Sequence, residues 1–299
     1  MPRSRKLEDL VVLIPTKPLS AAVMLGVLTV YATAARATDL KCEPARIAAK
    51  YPGIAGKTIR IGQDGESSPY SFRDPKDFNN LIGLDADLAR ATFECAGAPV
   101  EFVTGAWSGL LPAVIAGQAD AMWDTLFYTP ERAKKVDFVV YLSASSGGLV
   151  AKGNPKHVGS IADICGLQAT AGLGTQEEAS LREISAKCTS NGKKALDVIT
   201  FPDIPAGARL VQNGRADVMV SDLAMVDSIA GNNPGSFERA FTIETSDKKA
   251  VGLTKGNTDL ANAIRDGLSI LRSNGGAKAI FARYHVDYAI MKDPEVLAK

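Results

Sequence analysis

The chain is poor in the residues that most enzymes and nucleic-acid binders rely on. It has two histidines in 299 residues, His157 and His285, and neither has metal-ligand spacing. Aromatics make up 6% of the chain. Acidic and basic residues nearly cancel at a formal net charge of +1, so no basic face for a nucleic acid is expected. No run of like charges marks a disordered tail. None of the four cysteines has C-x-x-C metal spacing, and no nucleophile–base pair stands out. No catalytic residue, no metal and no cofactor is therefore expected. Beyond the N-terminus no segment is apolar enough to cross a bilayer.

What the chain does have is enough apolar content, 46%, for well-buried cores, and length for one large domain or two of ordinary size. Residues 1–37 read as a secretory signal peptide. Arg3, Arg5, Lys6 and Lys17 form a basic region, Leu19 to Tyr31 is uncharged and weakly apolar, and Ala35-Arg36-Ala37 is an A-x-A cleavage site. Export, with cleavage near Ala37, is therefore expected. Cys42, preceded by Asp-Leu-Lys, lacks a lipid-attachment context.

A near-repeat organises the rest. Ala116-Gly-Gln-Ala-Asp-Ala-Met122 returns as Asn213-Gly-Arg-Ala-Asp-Val-Met219. Apolar residues at helical spacing precede each copy, and Asp124 and Asp222 follow. A helix that ends at a glycine and feeds a short buried strand would deliver an acid at the strand's carboxyl end, where open α/β sheets bind ligands. Two copies predict two α/β lobes facing one cleft.

Around the repeats, strands are expected over 57–63, 100–103, 136–141, 167–171 and 197–201, and helices over 85–96, 108–116, 258–273 and 275–284. Residues 65–80 read as loop. Thr129-Pro130-Glu131-Arg132 and Gly174-Thr175 open helices, with Thr129 and Thr175 as N-caps. The segments near 148–152 and 250–254 read as two crossing strands. Lobe one is then 38–150 plus 251–299, and lobe two is 151–250. Disulfides Cys42–Cys95 and Cys165–Cys188 would each lie within one lobe.

In this order the motifs resemble the periplasmic solute-binding proteins of ABC importers, extracellular family 3, which carries polar amino acids. The matching residues include Pro69-Tyr-Ser-Phe72, Gly83-Leu-Asp-Ala-Asp-Leu88, Trp107-Ser-Gly-Leu-Leu-Pro112, Thr129-Pro-Glu-Arg132 and Gly214-Arg-Ala-Asp217. The resemblance implies a type II two-lobed periplasmic-binding-protein fold with a two-strand hinge. It further implies a monomer that captures a small amino-acid-like ligand and delivers it to a membrane permease.

It also implies roles. Arg132 would clamp a ligand carboxylate, since a guanidinium offers two parallel charge-assisted hydrogen bonds. The alternative is a solvated helix arginine. Asp222 would receive a ligand ammonium, or else cap the following helix. Gly174 and Thr175 would close over a carboxylate. Asp64 would reach basic ligand groups, or else serve as a turn residue.

The departures from the family pattern lie at Ser67 and Ser68, where an aromatic is usual, and in Trp123-Asp124-Thr125-Leu126-Phe127-Tyr128. There Asp124 replaces a small residue and Phe127 replaces a hydroxyl. Asp124, Thr125 and Phe127, with Trp107, are assigned to an acidic, aromatic cleft suited to a cationic or zwitterionic solute. Core packing is the alternative for Trp123 or Tyr128. Two other functions compete with import. One is a periplasmic cyclohexadienyl or arogenate dehydratase on the same scaffold, with Asp124 as acid. The other is a sensor ligand for a chemoreceptor or kinase.

Overall fold

The computed structural model describes residues 44–298, which lie within one compact unit, Asp39–Lys299. The expected leader, its cleavage site and Cys42 lie outside the described residues.

The chain begins with α1 (Pro44–Lys50) and β1 (Ile59–Gln63). A ribbon of β2 (Glu66–Ser67), β3 (Ser71–Asp74) and β4 (Asp77–Ile82) follows, then α2 (Leu84–Ala96), β5 (Val100–Thr104), α3 (Trp107–Ile115), β6 (Ala121–Met122) and α4 (Pro130–Ala133). The long β7 (Val136–Ala151) leads to β8 (Gln168–Gly172), α5 (Gln176–Ser190), β9 (Asp197–Phe201), α6 (Ile204–Gln212), β10 (Val218–Asp222) and α7 (Leu223–Asn232). A second long strand, β11 (Phe237–Thr254), returns the chain to α8 (Thr258–Ser273), α9 (Gly276–Arg283) and β12 (Met291–Leu297).

One sheet runs β5–β1–β6–β11–β7–β10–β8–β9, with β12 beside β7. At one end β1 is parallel to β5 and β6, and at the other β8 is parallel to β9 and β10. Antiparallel β7 and β11 join the two ends. This is the two-lobed α/β architecture. Separate cores flank the join: Ile61, Phe93, Trp123 and Ile264 belong to one, and Ile164, Leu181 and Val218 to another. The register of β11 on β7 slips between Glu244 and Lys248, opposite Ser145 and Ser143. Gly147 to Leu149, expected at the crossing, already pair with β10.

The two repeats fold alike to the level of single hydrogen bonds. Gly117 and Gly214 take φ of 72° and 67°, the left-handed region open to glycine. Gln118 N donates to Ala113 O at 2.8 Å, and Arg215 N donates to Leu210 O at 2.9 Å, closing each helix. The repeat aspartates then clasp the first strand of their own lobe. Asp120 N donates to Arg60 O and its Oδ2 accepts from Arg60 N, both at 2.8 Å. Asp217 N donates to Gln168 O at 2.7 Å and its Oδ2 accepts from Gln168 N at 2.9 Å.

The ribbon and the C-terminal strand differ from the sequence reading. Residues 65–80 are not loop: Glu66 pairs with Phe72, and Phe72 pairs with Ile82. The ribbon is half exposed, so its residues are polar and hide the strand period. The C-terminal β12 was also not anticipated. Cys165–Cys188 is closed, with Cα atoms 5.7 Å apart. Cys95 is disulfide-bonded, and its expected partner, Cys42, is not among the described residues. Among the described residues no helix is long and apolar enough to cross a membrane.

Candidate functional site

The strand ends of both lobes meet at a cavity of about 50 Å3. Of the residues assigned from sequence, Asp64, Trp107, Thr125, Phe127, Thr175 and Asp222 line it. Asp124, Arg132 and Gly174 are not among the lining residues. Small-molecule sites typically enclose about 300–1,000 Å3, so the lobes here are drawn together.

On lobe one, Asp64 directly follows β1. Its Oδ1 accepts from Glu66 N at 2.7 Å and its Oδ2 from Ser67 Oγ at 2.7 Å, so it is a turn residue and a cleft acid together. Burial raises its pKa against those hydrogen bonds. Asp124 lies beneath it, fully buried. Its Oδ2 accepts from Asp64 N at 2.8 Å, whereas Oδ1 has no protein partner. Burial, then the charge of Asp64, hold its pKa well above the usual carboxylate range. Asp124 therefore shapes the loop that carries Asp64.

Thr125 sits at φ 48°, a costly conformation for a β-branched residue. The buried Asp85 of α2 fixes it, accepting from Thr125 N at 2.9 Å and from Tyr141 Oη at 2.7 Å. Burial pushes the Asp85 pKa up to about 7 against those bonds. The turn at Thr125 sends Phe127 to the cleft. Trp123 and Tyr128 go to the core, edge-on to Tyr141 and Phe138 respectively.

Thr129 caps α4, accepting from Arg132 N at 3.2 Å. The Arg132 guanidinium lies 5.6 Å from the Trp107 ring centroid. It donates to Phe127 O at 2.8 Å and, across the cleft, to Gly174 O at 3.0 Å. Burial lowers its pKa, opposed by the charge of Glu177. In this closed form, Arg132 holds the two lobes to each other.

On lobe two, Thr175 caps α5, accepting from Glu178 N at 3.2 Å and donating to Gly172 O at 2.9 Å. Gly174 N donates to Glu178 Oε2 at 2.7 Å. Glu177, not singled out from sequence, is buried at the cleft, and its Oε1 accepts from Ser146 Oγ at 3.0 Å. Desolvation raises its pKa. The pattern Gly-Thr-Gln-Glu-Glu contained it, but only the helical phase distinguishes a cleft-facing Glu177 from Glu178.

Asp222 ends β10. Its Oδ1 accepts from Ala224 N at 3.0 Å and Met225 N at 3.4 Å, capping α7. Its Oδ2 accepts from Lys249 Nζ, an ion pair buried on both sides. Lys249 also donates to Tyr70 Oη at 3.0 Å and lies 4.6 Å from that ring's centroid. Neither Lys249 nor Tyr70 was singled out as a functional residue, because a lysine beside an apolar strand reads as solvated. A second cavity, about 620 Å3, lies between α7 and residues 283–290. Asp222 lines both cavities, and Lys249 and Tyr70 line this larger one.

Among the described residues no cluster of His, Cys, Asp or Glu could hold a metal. The arrangement is suited to gripping a solute between two lobes with acids, aromatic faces and one guanidinium.

Known proteins share this build. The L-cystine-binding protein TcyJ of Escherichia coli (strain K12) is 27% identical over 231 residues, 76% of this chain and 82% of that protein. An ancestral arginine-binding protein bound to arginine superposes with a TM-score of 0.70 at 26% identity, over 77% of this chain and 99% of that one. The ancestral amino acid-binding protein AncCDT-1, a precursor of cyclohexadienyl dehydratase, gives 0.66 at 27% identity, over 80% and 98%. The pattern of the bacterial extracellular solute-binding proteins, family 3, matches residues 59–287. With its paired α/β lobes and a cleft between them, the chain belongs to that family.

Proposed function

We propose that this protein is the periplasmic substrate-binding component of an ABC importer, closing its lobes on an amino acid or amino-acid-like solute. The observation that carries this reading is the cavity lined from both lobes and latched by Arg132 on Gly174. A solute must reach a cleft this small through an open state, and its contacts with both lobes favour the closed one. The lobes exchange at β7 and β11, with the hinge at residues 143–145 and 244–248, where the register slips. In this reading lobe one runs to about residue 144 and resumes after about 246, where the sequence reading set the limits at 150 and 251. In the same reading the leader is cleaved near Ala37, the mature protein is a monomer, and a membrane permease receives the ligand. The named binding functions of TcyJ and the ancestral arginine-binding protein support an amino acid.

A thermal-shift screen over amino acids, opines, polyamines and betaines tests this. A ligand at a hundredfold its Kd should stabilise by about 2.7 kcal/mol. Solution scattering should show compaction with the same ligand. Arg132→Ala should weaken any carboxylate hit at least tenfold in titration calorimetry. Turnover of prephenate or arogenate, the dehydratase reading suggested by likeness to AncCDT-1, would replace this function with an enzymatic one.

A further inference from the structure

The cleft's lobe-two acid is already neutralised by the protein itself. We propose that Lys249 is a specificity-determining residue. It occupies Asp222 from behind, so that the cleft selects carboxylate solutes whose positive nitrogen lies away from the α carbon, such as ω-amino and ω-guanidino acids. This inference rests on the binding function proposed above and specifies its ligand class.

Both oxygens of Asp222 have partners from the protein in this structure. Oδ1 is engaged by two amides of α7 and Oδ2 by Lys249 Nζ. Lys249 is 1% exposed and Asp222 6%, so solvent does not compete for the pair. Nζ is also held by Tyr70 Oη, a residue of lobe one, which fixes the ammonium against Asp222. Asp222 lines both cavities whereas Lys249 lines the larger one and not the smaller, so the cation reaches Asp222 from outside the solute's cavity. A solute ammonium arriving at Asp222 would meet a neutralised carboxylate and a second cation behind it.

The cleft acids free of such a partner are elsewhere. Asp64 accepts from Glu66 N and Ser67, and Glu177 from Ser146; no cation is hydrogen-bonded to either, and only the more distant charges of Lys249 and Arg132 act on Glu177. A carboxylate oxygen has two lone pairs, so both residues keep acceptor capacity toward the cleft. Trp107 and Phe127 line the same cavity and offer π faces to a cation. The solute's cation is thus received by Asp64 and Glu177, and its carboxylate by Arg132 in place of Gly174 O.

Titration calorimetry on the intact mature protein with matched pairs tests this: L-arginine against 5-guanidinopentanoate, L-lysine against 6-aminohexanoate, and L-glutamine against glutaramate. The wild type should bind both members of at least one cationic pair within about threefold. Lys249→Met, which frees Asp222, should prefer the α-amino member by tenfold or more, and Lys249→Met/Asp222→Asn should lose that preference. A wild type that loses tenfold or more when the α-ammonium is removed overturns the role of Lys249 and leaves the binding function intact. The same follows if Lys249→Met discriminates no better than the wild type. Binding of no cationic pair member, with a hit elsewhere in the thermal-shift screen, overturns the ligand class and leaves the binding function intact. Should Lys249→Met not fold, as judged by circular dichroism, the wild-type comparison and the uncharged double variant still decide.

Discussion

The two helix–glycine–strand units of this protein start identically and end differently. In both, a left-handed glycine closes the helix and an aspartate, Asp120 or Asp217, clasps the first strand of its lobe. Past that point the strand in lobe one stops after two residues, whereas in lobe two it runs for five. The acids that follow then diverge. Asp124 is buried beneath a loop with one oxygen unpartnered. Asp222 caps a helix, reaches the cleft and pairs with Lys249. A shared scaffold therefore fixes where strands end, and what an acid does there depends on neighbours contributed from elsewhere in the chain.

Breaking the asymmetric part should have the largest effect. Lys249→Ala strands a buried carboxylate and should cost about 3–5 kcal/mol in urea unfolding. Asp124→Asn, in the other lobe, should cost far less, because burial already disfavours its charge. Equal losses would mean that the two acids are energetically alike after all. Next in size is the staple confined to lobe two. Replacing Cys165 and Cys188 by serine reopens the 22-residue stretch between them and should cost roughly 3 kcal/mol in the chain-entropy model. Hydrogen exchange should rise in α5 and β8 and stay unchanged in α2 and β1.

The symmetric part sharpens the comparison. Asp120→Ala and Asp217→Ala should each cost about 1–3 kcal/mol, since each removes a charge-assisted bond to a strand amide. Asp120 should cost more, because it also ion-pairs with the Arg60 guanidinium at 2.8 Å, whereas Asp217 meets Lys156 at 3.6 Å. Chemical denaturation of both variants measures the order.

The last comparison is a pH slope. Asp85 titrates near 7 when folded against an ordinary 3.8, so the folded state binds the proton more tightly. Its contribution to stability therefore falls as pH rises from about 4 to 7, and is flat above. Asp64, Asp124 and Glu177 are shifted in the same direction. Asp85→Asn should flatten that decline in urea midpoints measured between pH 4 and 8. An unchanged slope would remove Asp85 as its source.

Much of the fold was legible because its signals are local. Glycine and aspartate at the two repeats, Thr129 and Thr175 as caps, and the apolar spacing of α2 and α8 each act within a turn or two of chain. The ribbon over 66–82 escaped because an exposed strand carries no alternating apolar face. Asp64, Thr125 and Phe127 were assigned to the cleft and line it. Asp124 and Arg132 were assigned with them, yet one supports a loop and the other ties the lobes together. Glu177 depended on helical phase, and Lys249 on a strand that returns from the far lobe.

By itself, the sequence determined the parts that short-range forces settle: two α/β units, their capped helices, their terminal acids and the two long crossings between them. Only the tertiary structure decided which charges meet. Lys249 and Asp222 are separated along the chain, and Tyr70 comes from a third segment far from both. Pairing them requires the β7–β11 junction to bring all three behind the cleft. Side-chain charge and propensity are encoded residue by residue, but desolvation and ion pairing depend on three-dimensional surroundings, so the electrostatic character of the site emerges only on folding.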